Sequence, residues 1–316
     1  MNTRELGKSG LTVSVVTLGG NVFGWTADEA ASFKVLDAFL AAGGNFIDTA
    51  DVYSKWVPGH SGGESETVVG RWVASRRNRS QVLIATKVGA EMGSGTKGLS
   101  RAYIVREVED SLRRLQTDHI DLYQSHVDDP DTPMEETLGA YADLIKQGKV
   151  RAIGASNFTA ERLAQALAVS AQHGFPRYQS LQPLYNLFER AGYESALEPL
   201  CLKEHIGVIG YSSLGSGFLT GKYRSEADLG KSPRGQGVQK RYFNDRGFRI
   251  LAALDEVAKR YASTPGAVAL AWLIARPSVT SPIASATNTE QLNELVAATR
   301  LVLDREAIEQ LDQASA

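Results

Sequence analysis

The sequence predicts an α/β protein of the (β/α)8 TIM-barrel class, with an N-terminal β-hairpin and extra C-terminal helices. Eight short apolar runs, most of them rich in β-branched residues, alternate with longer segments of helical period. That is the pattern of buried parallel strands joined by helices. The chain has 316 residues, about 40 for each of eight units, which is the spacing of such a barrel with additions. A doubly wound sheet needs fewer strands and comes second. No composition shift or Ser/Pro-rich linker divides the chain, so residues 1–316 read as one domain.

The hairpin comes first. Arg4-Glu5-Leu6 and Leu11-Thr12-Val13-Ser14 flank a four-residue loop with glycine at both ends. The strand runs follow in order: Val15-Val16-Thr17-Leu18, Asn45-Phe46-Ile47-Asp48, Val82-Leu83-Ile84-Ala85-Thr86-Lys87 and Ile120-Asp121-Leu122-Tyr123. The second half continues with Val150-Arg151-Ala152-Ile153-Gly154, Tyr178-Gln179-Ser180-Leu181-Gln182, Gly207-Val208-Ile209-Gly210-Tyr211 and Thr280-Ser281-Pro282-Ile283. Between them, residues 100–116 place Ile104, Val108, Leu112 and Leu115 on one helical face. Thr26 with Glu29 three residues on has the form of a capping box. Thr132-Pro133 and Thr264-Pro265 predict two helix starts, each a capping hydroxyl before a first-turn proline. Gly43, Gly148 and Gly174 predict helix ends. Residues 222–247 are basic, glycine-bearing and without periodicity, and a loop this long in a compact domain is usually functional or mobile.

Composition excludes several classes of function. Thirty-four Lys+Arg against 36 Asp+Glu leave a net charge of −2, without the basic excess of a nucleic-acid binder. No run approaches a membrane span, and the N-terminus lacks the apolar stretch of a secretory signal. The one cysteine, Cys201, excludes an internal disulfide framework and reads as a buried small hydrophobe. The expected compartment is the cytoplasm. Oligomeric state is not legible.

Several motifs fail. Residues 215–223 follow a strand but miss the dinucleotide fingerprint by one position and the P-loop by spacing. A glycine-bearing loop there can still bring backbone amides to a pyrophosphate, or can be a plain connection. The five histidines have no metal-ligand spacing, so no metal is expected. The adjacent Asp128 and Asp129 do not make the separated pair that glycoside hydrolysis needs and read as a solvated loop.

One constellation survives. Barrel chemistry sits at the C-terminal strand ends, and these end in Asp48 with Tyr53 five residues on, Lys87, His126, Ser156-Asn157, Gln182 and Tyr211. A phenol has a pKa of about 10 and is a poor acid at neutral pH. An adjacent ammonium favours the phenolate and eases proton donation. Lys87 supplies that ammonium, Asp48 holds it, and His126 hydrogen-bonds a substrate oxygen. Such a set suits protonation of an alkoxide as a carbonyl is reduced by hydride. Each residue alone has a structural reading; four at four suitable strand ends do not.

At these residues the sequence resembles the aldo-keto reductase superfamily. Asp48-Thr49-Ala50-Asp51-Val52-Tyr53 matches that family's D-T-A-x-x-Y segment, Ala85-Thr86-Lys87 its lysine strand, and Asp121 through His126 its histidine strand. Gly154-Ala155-Ser156-Asn157-Phe158, Gln182-Pro183-Leu184-Tyr185-Asn186 and Tyr211-Ser212-Ser213-Leu214 follow in the family's order. Leu219-Thr220-Gly221-Lys222-Tyr223 is similar to the bacterial branch that includes the potassium-channel β-subunits. The resemblance spans nearly the whole chain.

It implies metal-free, reversible reduction of aldehydes or ketones with NADPH favoured and NADH use open. Tyr53 is then the general acid/base, Lys87 and Asp48 tune it, and His126 orients the carbonyl. Ser156, Asn157 and Gln182 would hold the nicotinamide carboxamide, and Tyr211 would stack on its ring. Residues 212–222, with Ser212, Leu214, Ser216, Gly217 and Lys222, would line the pyrophosphate, and residues 222–247 would close over the cofactor. Gly20, Asn21, Ser285, Thr287 and Gln291 complete the implied cofactor set. The segment after the last strand carries no Lys or Arg where many NADPH users pair the 2′-phosphate, and Leu295 replaces a frequent Asn. Phe23, Trp25, Trp56 and Val127 are expected to line a substrate cleft. The expected partner is a small carbonyl compound, a simple aldehyde, a sugar or a bulky ketone, with no nucleic acid and no membrane. The alternative is a redox-sensing, cofactor-binding module like the channel β-subunits.

Overall fold

A computed structural model describes residues 1–93 and 96–316. The chain opens with an antiparallel hairpin, β1 (Thr3–Glu5) and β2 (Thr12–Ser14). Then come β3 (Thr17–Gly19), α1 (Glu29–Ala41), β4 (Phe46–Asp48), α2 (Glu64–Arg76), β5 (Leu83–Val88) and α3 (Arg101–Leu115). They are followed by β6 (Ile120–Ser125), α4 (Met134–Lys146), β7 (Val150–Ser156), α5 (Ala160–His173) and β8 (Tyr178–Gln182). The short α6 (Ala191–Glu194) and α7 (Leu197–Glu204) lead to β9 (Gly207–Val208). Beyond it lie α8 (Gly235–Tyr242), α9 (Asp245–Arg260), α10 (Pro265–Ala275), β10 (Ile283–Ala284), α11 (Thr289–Ala298) and α12 (Arg305–Ser315).

The strands β3 to β9 pair in parallel with their sequence neighbours, and β10 pairs with β3. The Val208 carbonyl accepts from the Thr280 and Ser281 amides, and the Gly210 carbonyl accepts from Ile283, so backbone bonds also link the two ends of the sheet. All eight predicted strand runs, and the hairpin, are strands here. Alternation along them sorts the core into two layers. Phe46, Ala85, Leu122, Ala152, Ile209 and Ile283 fill the inside, and Leu6, Leu11 and Val13 of the hairpin join them as a plug at the strands' N-terminal end. The larger cluster lies between sheet and helices, with Ile47, Ile84, Tyr123 and Ile153 against Trp72, Ile104, Leu138 and Leu163. Gly7 lets the plug seat tightly. Its φ is +57°, and a Cβ there would stand 2.3 Å from the Gln179 carbonyl oxygen.

The helix starts correct two expectations. Asp28, not Thr26, caps α1, its side chain accepting from the Ala31 amide at 2.8 Å; an Asp immediately before the first turn outcompetes a more distant hydroxyl. At α4 the cap is Pro133 itself, because the Thr132 hydroxyl donates to Asp129 Oδ2 at 2.7 Å instead. Thr264 caps α10 with Pro265 in the first turn, as predicted. Cys201 is buried on α7, and burial pushes its thiol up to about 12. Residues 222–247 are not a structureless loop. They fold into a 3-10 turn at Glu226–Lys231, α8 and the start of α9, seated by Val238 and Tyr242. Among the described residues, no helix is long and apolar enough to cross a membrane, and no cluster of His, Cys, Asp and Glu could hold a metal ion.

Candidate active site

The C-terminal ends of the strands open into a cavity of about 950 Å³. Asp48, Tyr53 and Gln182 line its floor, and Lys87 and Gln124 lie sealed beneath them. Lys87 on β5 is wholly buried and spends its three N–H donors on Asp48 Oδ2 at 2.7 Å, the Thr49 carbonyl at 2.8 Å and the Tyr53 hydroxyl at 2.8 Å. The second oxygen of Asp48 accepts from Gln182 Nε2 at 2.9 Å and Gln124 Nε2 at 3.2 Å. Both carboxylate oxygens are therefore fixed, and Asp48 in turn fixes the ammonium. Burying such a pair is costly, and it is tolerable only where the remaining donors and acceptors are satisfied. Gln124 was not singled out by its sequence position; its place on β6 beside the motif histidine was the available signal.

The electrostatics differ from the simple expectation for Tyr53. Burial, and then Asp48, hold its phenol well above the usual range, so the proton is retained. Burial lowers Lys87, opposed by Asp48. The three acceptors around Nζ demand three hydrogens and so favour the ammonium form. At the cavity wall, burial and then Lys87 lower the His126 imidazole to about 3, which keeps it neutral. Its ring lies 6.0 Å from that of Tyr53, and its Nδ1 has no partner among the described residues. A protonated phenol beside a fixed ammonium, with a neutral imidazole opposite, is arranged to give a proton to an oxygen bound between them.

From this floor the cavity runs past Ser156, Asn157, Gln182, Tyr211, Ser212, Leu214, Ser216, Gly217 and Lys222 to Ser285, Thr287 and Gln291. Asn157 is held at φ +58° on the β7 turn. It donates to the His126 carbonyl at 2.9 Å and accepts from the Tyr211 hydroxyl at 2.9 Å. Ser285 donates to Asn21 Oδ1 at 2.7 Å. Ser216 and Gly217 both have positive φ, 56° and 91°, and the Gly217 amide donates to the Leu214 carbonyl at 2.9 Å, which folds this stretch into a tight turn along the cavity wall. The sequence-predicted set is thus largely brought together. Gly20 lies just outside the lining, its amide donating to the Asp48 carbonyl at 2.7 Å.

The expected substrate cleft divides. Trp25 and Trp56 line the mouth edge to face, with centroids 5.4 Å apart, and Trp56 reaches Tyr53 at 6.2 Å. Phe23 does not line it. It is fully buried in the core beneath Gly20, because the turn after β3 points it inward. Val127 is exposed outside the cavity. Asp128 and Asp129 are half-buried rather than solvated. Asp128 accepts two bonds from Arg162, at 2.7 and 2.8 Å, and Asp129 accepts from the Leu99 amide at 2.7 Å.

Residue-by-residue reading missed Arg234. It lines the cavity with its guanidinium 5.2 Å over the Trp25 ring and makes no side-chain hydrogen bond or ion pair among the described residues. A half-buried guanidinium with all five donors unspent is fitted to an anion. Only the basic character of its segment signalled it. Arg234, Lys222 and the elongated lining together fit a dinucleotide.

Fold and site together define a (β/α)8-barrel enzyme in which a buried ammonium–carboxylate pair supports a phenol under a long cleft. The chain belongs to the aldo/keto reductase family, whose family model matches residues 15–316. It is 35% identical to the uncharacterized oxidoreductase YrpG of Bacillus subtilis (strain 168), over 99% of this chain and 95% of that protein. It is 37% identical to the aldo-keto reductase YhdN of the same organism, over 92% and 84%. A probable voltage-gated potassium channel subunit beta of Arabidopsis thaliana is 32% identical over 99% and 97%. The protein is an oxidoreductase of the carbonyl-reducing kind.

Proposed function

We propose that the protein reduces an aldehyde or ketone to the alcohol, reversibly, using NADPH and more weakly NADH, with Tyr53 as general acid. The observation that carries this reading is the Asp48–Lys87–Tyr53 chain of 2.7 and 2.8 Å contacts at the cavity floor. When bound, the nicotinamide supplies the hydride. The chain's own residues do the rest. His126, neutral, donates to the carbonyl oxygen and orients it against the Tyr53 hydroxyl. As negative charge develops on that oxygen, Tyr53 releases its proton to it. The phenolate left behind is met by Lys87, whose charge Asp48 holds in place. In alcohol oxidation the same phenolate takes the proton back.

Ser156, Asn157 and Gln182 are assigned to the carboxamide, Tyr211 to the nicotinamide face, and residues 212–222 to the pyrophosphate. No Lys or Arg stands between Ile283 and Leu295; of the cations that line the cavity, Arg234 is assigned to the 2′-phosphate, with Thr287 and Gln291. A panel of aldehydes and ketones assayed with both cofactors, repeated with Tyr53→Phe, tests this reading. Turnover of no carbonyl compound, or equal turnover by the variant, contradicts it.

A second reading, a redox-sensing cofactor-binding module, is favoured by the likeness to the plant channel-subunit relative. It predicts tight cofactor binding with no carbonyl turnover.

A further inference from the structure

Directly behind the Tyr53–Lys87 pair lies a second buried layer of charge that the proposed chemistry does not use. Asp51, Glu66 and Glu107 are all buried there. One guanidinium serves them. Arg114 donates to Glu66 at 2.6 Å and to Glu107 at 2.5 Å, and Thr86 adds a bond to Glu66 at 2.5 Å. Asp51 is left over. Its Oδ1 accepts only from the neighbouring Val52 amide at 2.6 Å, and its Oδ2 has no partner among the described residues. Its backbone amide donates to the Lys87 carbonyl at 3.3 Å, which ties its turn to the strand that carries the ammonium.

Charges facing Asp51 come from every surrounding element. Glu66 lies on α2, Lys87 on β5, Tyr103, Glu107 and Arg114 on α3, Tyr123 on β6, Tyr141 on α4, and Tyr53 on its own turn. The two cations are already matched, Lys87 by Asp48 and Arg114 by two glutamates. A fourth buried carboxylate beside them would stand unpaired, and such groups neutralise rather than remain charged.

We infer that Asp51 is held as a neutral carboxylic acid and serves as a positioning residue, leaving Asp48 as the one close counter-ion of Lys87. Burial, followed by Glu66 and Glu107, raises the Asp51 carboxyl well above the carboxylate range, in agreement. The consequence runs through Lys87. An ionised Asp51 would draw on the ammonium's field and hold the Tyr53 proton more tightly; a neutral one leaves that field for the phenolate that forms during turnover. This inference rests on Tyr53 being the acid only for its consequence. The protonation state itself is independent of that reading.

The test joins infrared difference spectroscopy with a pH profile on the full chain. The carbonyl stretch of a protonated carboxylic acid, well separated from that of carboxylates, is expected in the wild type and absent in Asp51→Asn. Because Asn copies the neutral acid, the alkaline limb of kcat for Asp51→Asn is expected to superimpose on the wild type. If Asp51 is ionised, no such band disappears, and removing its charge moves that limb toward lower pH by about a unit. Either result overturns the inference. Should the variant fail to fold, the carboxyl carbon resonance of Asp51 in isotopically labelled wild type decides instead. A protonated-acid shift that holds through neutral pH supports the inference, and a carboxylate shift overturns it. Failure of the Tyr53→Phe experiment with the acid band present would sink the proposed function and leave the Asp51 assignment standing.

Discussion

Lys87 Nζ lies 2.7 Å from Asp48 Oδ2, and both side chains are sealed from solvent at the barrel's centre. The pair is therefore structural and electrostatic at once, and its two members are not equivalent under mutation. Lys87→Met is expected to lose about 3–5 kcal/mol of stability, because it strands a buried carboxylate. Adding Asp48→Asn to it is expected to restore most of that loss. Urea unfolding of the two variants checks this, and a single variant within about 1 kcal/mol of the wild type would contradict the pairing.

The His126 imidazole gives a pH signature. Burial and Lys87 lower it to about 3 from an ordinary 6.5. Between those values the unfolded chain takes up a proton that the folded chain refuses. The contribution of neutral His126 is full above 6.5, and it falls by about 1.4 kcal/mol per pH unit as the pH drops through that window. His126→Asn is expected to lose about 1–2 kcal/mol less than the wild type between about pH 7 and pH 5. Parallel losses in the two proteins would show that the histidine titrates normally.

Arg234 lines the cleft and has no side-chain hydrogen bond or ion pair among the described residues. Its replacement by Met is expected to raise KM for NADPH about 10- to 100-fold, the weight of a charge-assisted contact. KM for NADH should change less than about threefold by the same logic. Equal effects on both cofactors would move Arg234 from the 2′-phosphate to a part that the two share.

Much of this architecture is legible in the sequence, for physical reasons. Parallel strands buried on both faces must be short apolar runs, so Asp48, Lys87, Gln182 and Tyr211 stand out as polar residues that end them. What escaped depends on tertiary competition. Thr132 has the chemistry of a cap but is drawn to Asp129. Phe23 follows a strand end as a cleft residue would, yet the turn sends it into the core. Residues 222–247 lack periodicity because their helices are one to two turns long, too short to show a repeat before they seat Val238 and Tyr242. Gln124 alternates inward simply because it follows Tyr123, which points to the helices. The proton inferred on Asp51 depends on counting titratable groups that arrive from five elements besides its own turn, which no local pattern contains.

Transfer of the Tyr53 proton to the carbonyl oxygen is the centre of the account. The most direct measurement is a single-turnover reduction of an aldehyde by enzyme preloaded with NADPH, followed by loss of nicotinamide absorbance, in the wild type and in Tyr53→Phe. Cofactor affinity is read in the same samples by quenching of tryptophan fluorescence. The expected result is unchanged affinity with hydride transfer slowed at least about 100-fold, the range of general acid catalysis. Hydride transfer at the wild-type rate in Tyr53→Phe, with cofactor equally bound, would contradict it.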